Sequence, residues 1–136
     1  MRYSKQEVMQ YVQEEDVKFI RLSFCDVFGR QKNISIMPDE LPRAFETGIS
    51  FDASAVRGFL NVEQSDLFIT PDPSTLSILP WRPSHGRVVR LFCNVNYPDG
   101  RPFEGSSRHI LQRAVKEAAQ MGYVCKICLL YTSPSP

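Results

Sequence analysis

The chain has almost no net charge, no long apolar run and few histidines, and each shortage removes a class of function. Lysine and arginine number 16 against 15 acids, so no positive field exists to hold a polyanion or an anionic membrane surface. Neither nucleic acid nor membrane is an expected partner. No stretch approaches the ~20 apolar residues a spanning helix needs, and MRYSKQEVMQ at the N-terminus lacks the apolar core of a secretory leader. The expected compartment is the cytoplasm. The two histidines, His85 in the loop SHG and His109 on a helical stretch, stand apart from one another. Solvated or core roles suit them better than metal ligation. Of the four cysteines, Cys25 and Cys93 fall inside apolar strand-like runs, where a reduced cysteine behaves as a small buried hydrophobe. Cys125 and Cys128 form a CKIC pair, but zinc wants a second ligand pair at matching spacing, and the sequence has none.

What is present suffices for one modest core. The 136 residues are 43% apolar and 11% aromatic, one domain's worth of burial. Ser4 and Glu7 make a capping box ahead of Val8, Tyr11 and Val12 at helical spacing. From Val17 the period changes to two, with Ile20, Leu22 and Phe24 on one face. FGRQ turns the chain and Ile34 and Ile36 resume the alternation, which predicts an antiparallel hairpin. PDELPRAFETG reads as a second short helix with Leu41, Ala44 and Phe45 on one side and Gly48 as the stop. Strands are expected over Leu67–Thr70, Thr75–Leu79 and Arg87–Val95, the last ending in the turn YPDGRP. Ser106 caps a third helix carrying Ile110, Leu111, Ala114, Val115, Ala118 and Met121, with Gly122 after its end, and Tyr123–Ile127 reads as one more strand. The sum is an α+β domain, a mixed sheet with helices packed on one face.

The last nine residues, CLLYTSPSP, break from this pattern and end in alternating serine and proline. They resemble the translated adapter tails found on unrelated reading frames. Residues 128–136 are therefore read as a non-native tail and left out of the fold.

Between the second helix and the strand at Leu67 lies FDASAVRGF, in which Asp52 sits among small residues with neither a helical nor a strand period. On its own such a carboxylate is a turn cap. Together with the following NVEQSDLF, ITPDPSTLSILPW and NVNYPDGRPFEGSSRHILQRAV, however, the stretch resembles the N-terminal part of a bacterial-type (type I) glutamine synthetase. The similarity runs from about Ser4 to Ile127. It implies a β-grasp N-terminal domain over residues 1–103, then the first helix and strand of a missing catalytic domain over 104–127.

The resemblance also implies an activity for the parent protein: joining ammonia to glutamate with ATP and Mg2+ or Mn2+ to give glutamine. In this family the loop aspartate is offered across a subunit interface into a neighbouring chain's active site, within a homo-oligomer that is a dodecamer. Carried over, Asp52 binds ammonium and favours its deprotonation, so that ammonia attacks a γ-glutamyl phosphate, and Ser54 accompanies it. A carboxylate suits that task, since it attracts the cation, accepts its hydrogen bonds and can take its proton. The family pattern has Gly-Ser-Ser after the aspartate where this chain has Ala53, Ser54 and Ala55, so the backbone at 53 need not adopt φ > 0 and the second serine's hydroxyl is gone. Asn61 stands where one branch carries a feedback arginine. Gln64-Ser65-Asp66 reads as a polar turn leading into the next strand, and Arg57 and Arg82 could line a nucleotide or phosphate site, although single arginines are usually solvated. No carboxylate cluster for a metal is visible, so neither ATP nor metal is expected on this chain alone, and the chain by itself is expected to be inactive. The alternative is a free-standing β-grasp interaction module without catalysis.

Overall fold

The computed structural model describes residues 3–59, 66–80 and 86–126. Asn61, Gln64, Ser65, Arg82, His85, Ile127, Cys128 and the tail lie outside the described residues.

The capping box forms as read. Ser4 Oγ accepts from the Glu7 amide, the Glu7 carboxylate accepts from the Ser4 amide, and helix α1 runs Lys5–Glu14 with Val8 and Val12 buried. Strands β1 (Val17–Cys25) and β2 (Gln31–Ile36) make the expected hairpin, with Ile20 opposite Ile36 and Leu22 opposite Ile34. The second helical stretch is split. A 3₁₀ turn, Pro38–Glu40, precedes helix α2, Leu41–Glu46, because Pro42 early in α2 is tolerated only where no helical N–H is required. Leu41, Ala44 and Phe45 are buried, as their spacing predicts.

Strand β3 (Ile49–Asp52) pairs antiparallel with β4 (Asp66–Pro71), a two-residue strand β5 (Ser77–Ile78) pairs with β6, and β6 itself spans Arg87–Asn96. The sheet order is β2-β1-β6-β4-β3, with β1 and β6 parallel and the other neighbours antiparallel. A mixed sheet of this kind, in which β1 of the hairpin pairs in parallel with β6, is the architecture the resemblance predicts. Ile20, Leu22, Leu67, Ile69, Val89, Leu91 and Val95 are nearly or wholly buried, and Val8 and Val12 of α1 and Leu41, Ala44 and Phe45 of α2 join them in the core. Each such aliphatic side chain stabilises the fold by roughly 1.5–3 kcal/mol relative to exposure.

Helix α3, Ser107–Gln120, behaves differently. None of its residues is buried, and Ile110, Leu111, Val115 and, just past its end, Met121 are 56%, 56%, 42% and 74% exposed. Ser106 has extended backbone at the N-cap position, but its side chain makes no capping bond. Gly122 does end the helix: at φ +85 its amide reaches Ala119 O and the Tyr123 amide reaches Ala118 O, closing a Schellman motif. The expected strand from Tyr123 is not formed over 123–126, where Tyr123 and Val124 stand exposed. Apolar residues make a strand only where an edge is offered to pair with, and these have none among the described residues.

Candidate functional site

Asp52 closes strand β3, a four-residue element that the sequence pattern passes over because only Ile49 of ISFD is buried. After it the chain turns through a 3₁₀ segment, Ala53–Ala55, and on to Phe59, with Val56 N–H donating to Ala53 O and Phe59 N–H to Val56 O. Ala53 and Val56 are buried, and Phe59 joins a ring cluster with Phe24, Phe51 and Phe103 at centroid distances of 6.2, 6.4 and 5.1 Å. The loop is therefore tied to the core at three points while Asp52 stays exposed at its start. Ala53 is not among the residues at positive φ, as its identity predicts.

The carboxylate is held by its neighbour. Asp52 Oδ1 accepts from the Ser54 amide at 2.9 Å and from the Ser54 hydroxyl at 2.6 Å. Those two bonds, the hydroxyl's first, hold the Asp52 carboxyl below the usual carboxylate range. Ser54 commits its hydroxyl to this bond and so orients the Asp52 carboxylate. Ala55 is exposed and offers no polar group.

The same device recurs once more among the described residues. Asp72 Oδ1 accepts from the Ser74 amide at 3.0 Å and the Ser74 hydroxyl at 2.7 Å, at the head of another 3₁₀ turn, Pro73–Thr75. There, Asp72 Oδ2 is taken by Arg108 Nη2 at 2.5 Å, whose Nε also donates to Asn94 Oδ1 at 3.0 Å. Asp72 is thus a structural cap with both oxygens engaged. Asp52 is built identically at Oδ1, but its Oδ2 has no hydrogen-bond partner among the described residues.

The remaining candidates do not join it. Asp66 is the register partner of Asp52 and opens β4, one residue earlier than expected, so it belongs to a strand and not to a polar turn. Arg57 lies over the Phe28 ring with its guanidinium carbon 5.7 Å from the centroid, a contact that its reading as a solvated side chain does not include. Cys93 is wholly buried, as expected, and burial pushes its thiol up to about 12. Cys25 is only half-buried, and Cys125 is exposed. Among the described residues no three His, Cys, Asp or Glu side chains gather as metal ligands.

Residues 16–98 match the family described as "Glutamine synthetase, beta-Grasp domain". The chain belongs to this family. A glutamine synthetase of Methanosarcina mazei is 47% identical over 120 residues, 88% of this chain and 27% of the relative. One from Clostridium saccharobutylicum is 43% identical over 126 residues, 93% of this chain and 28% of the relative. The fold is shared with the solved Plasmodium falciparum glutamine synthetase at a TM-score of 0.80 and 22% identity, over 90% of this chain and 24% of that one. The glutamine synthetase β-grasp chain described here thus spans under a third of the length of these relatives.

Proposed function

We propose that this chain is the β-grasp part of a glutamine synthetase, a ligase that condenses ammonia with glutamate and hydrolyses ATP to do so, and that it works in the cytoplasm within a homo-oligomer. The chain supplies a neighbouring subunit with Asp52, which attracts ammonium, accepts its hydrogen bonds and assists loss of one proton. The resulting ammonia is the nucleophile for an activated γ-carboxyl of glutamate. Metal, ATP and glutamate are held by the rest of the relatives' length, and residues 1–103 against 104–127 mark the division between the two parts. The observation that carries this reading is the asymmetry of the carboxylate: Oδ1 is fixed by Ser54, while Oδ2 meets no donor among the described residues. A fixed, ionised and exposed oxygen is what a cation ligand requires. An independent interaction module would need no such oxygen.

The test is Asp52→Asn, with residues 1–126 grafted in place of the matching segment of the Methanosarcina mazei relative. Asparagine keeps an acceptor oxygen for Ser54, so the loop keeps its cap and only the charge is lost. Glutamine formation from ammonium should fall about 10²–10⁴-fold, as for a lost general base. Hydroxylamine, neutral near pH 7, should lose less. Equal losses in kcat/KM for the two nucleophiles would refute the ammonium role, and a smaller particle by light scattering would instead place Asp52 in the assembly contact.

A further inference from the structure

Two turns meet beside Asp52, and only one of them carries it. The β1–β2 turn is built rigidly around Asp26, which is 2% exposed. Its Oδ1 accepts from the Phe28 and Arg30 amides, both at 2.9 Å, and its backbone pairs with Arg30 O and the Gly29 amide. A carboxylate so engaged fixes the turn that it caps. From this turn Val27 and Phe28 project, 44% and 65% exposed. Both reach the far end of the Asp52 loop. A Cβ at Gly58 would lie 2.4 Å from Val27 Cγ2 and 3.0 Å from Cγ1, so the backbone there runs directly against the valine. Gly58 is also at φ +86, a conformation that side chains with a Cβ rarely adopt. One residue earlier, Arg57 covers the Phe28 ring within cation–π range.

We infer that the β1–β2 turn positions the Asp52 loop, with Val27 seating Gly58 and Phe28 receiving Arg57, so that the hairpin sets the direction in which Asp52 presents Oδ2. The role of Asp52 itself rests on the reading given above; the bracing does not. The mechanical link is short. Gly58 and Arg57 lie inside the turn closed by Phe59 N–H to Val56 O, and Val56 N–H in turn closes the segment that begins at Ala53. A shift at Gly58 therefore has one hydrogen-bonded turn to cross before it reaches the Ser54 cap. Val27 and Phe28 touch no reacting atom and are positioning residues.

Amide exchange on the whole chain, followed by mass spectrometry at low concentration, reads the bracing directly. In Val27→Ala the amides of Ser54, Val56 and Phe59 should exchange about tenfold faster, because local opening becomes easier, while β4 and β6 keep their wild-type protection. Gly58→Ala should loosen the same amides. The double variant should loosen them less than the product of the two single effects, since the shortened side chain at position 27 makes room for the new Cβ at position 58. Unchanged loop exchange in Val27→Ala, or acceleration spread equally over β4 and β6, would overturn the inference. In the grafted enzyme, Val27→Ala should lower kcat/KM more for ammonium than for hydroxylamine, with the KM for ATP unchanged. Equal losses there, alongside unequal losses for Asp52→Asn, would overturn the positioning role while leaving Asp52 its own. Equal losses for Asp52→Asn would strike only the ammonium reading, because the exchange result does not depend on it.

Discussion

At the level of single residues, what separates Asp52 from Asp72 is one oxygen, and no local sequence pattern records it. Both are Asp-x-Ser, both head a 3₁₀ turn, and the difference lies in Arg108, 36 residues from Asp72 along the chain. Turn chemistry made the cap legible, and the family resemblance alone pointed to the site. The cap has a measurable electrostatic consequence. Ser54 bonds to the ionised form, so Asp52 titrates below an ordinary aspartate, and whatever stability the bonds give is present above the unfolded carboxyl's pKa and lost as pH falls through the folded one. In Ser54→Ala the hydroxyl bond goes and the amide bond stays. The Asp52 carboxyl, followed by its carboxyl carbon resonance, should titrate at higher pH than in wild type yet remain below that of an unfolded chain. Since the group is exposed, the melting temperature should hardly move, the usual outcome for a surface change. An unshifted titration would remove Ser54 from the site. The cysteines separate on similar grounds. With its thiol pushed to about 12, Cys93 should resist alkylation at pH 8 for as long as the chain stays folded, while the exposed Cys125 reacts. Equal labelling of the two, read by peptide mass, would contradict the buried position of Cys93.

Among the elements, those with a full period were readable and those defined by partners were not. The hairpin, α1 and β6 each carry several turns or repeats of buried and exposed positions, and their bounds fall within about two residues of the pattern. Strand β3 is too short to display a period. The stretch Thr75–Leu79 alternates as a strand should, yet only Ser77–Ile78 pairs, because Thr75 is drawn into the Asp72 turn, its hydroxyl donating to Asp72 O at 2.7 Å and accepting from the Phe92 amide at 2.8 Å. Tyr123–Ile127 fails over its described residues for the converse reason, an apolar run without a neighbour among the described residues. Helix α3 was readable in its extent and its stop, but not in how it is held, which is by side-chain bonds. Arg108 binds both Asp72 and Asn94, and the side chains of Arg108 and Asp72 are only 29% and 24% exposed. That latch is testable by a double-mutant cycle. Arg108→Ala and Asp72→Ala should each loosen α3 and should couple by about 1 kcal/mol, between exposed and buried values for such pairs. Exchange protection of the α3 amides is the readout, and strictly additive effects would show that the pair does not hold the helix.

Across the whole molecule the notable feature is a helix with its apolar side turned outward. Ile110, Leu111 and Val115 fall within one stripe of α3, which Met121 extends. Beside the helix an open cleft of about 300 Å³ separates its first turn from Phe24 near the end of β1 and from Phe92 and Cys93 within β6. Of the stripe, Leu111 lines this cleft, yet it stays 56% exposed and does not fill it. The arrangement accords with the proposal that α3 docks on a part of the relatives' length that this chain, under a third of it, does not span. The same reasoning predicts that the chain alone forms no glutamine from glutamate, ammonium, ATP and magnesium, and product above a boiled control would sink that expectation. For the isolated molecule an uncovered stripe has a direct physical consequence, because apolar area left in water drives association at roughly 25 cal/mol for each Å² that a contact can hide. Sedimentation velocity should therefore show a weight-average mass that rises with concentration. Replacing Leu111 and Val115 together with glutamate should return the chain to a monomer. It should do so without lowering the melting temperature by more than a surface change does, since neither side chain is buried. The pairing of those two results is what decides the matter. A wild-type chain that stays monomeric at every concentration would mean that the stripe finds cover within the molecule. A double variant that melts early would mean the same, because only buried leucine and valine can be missed.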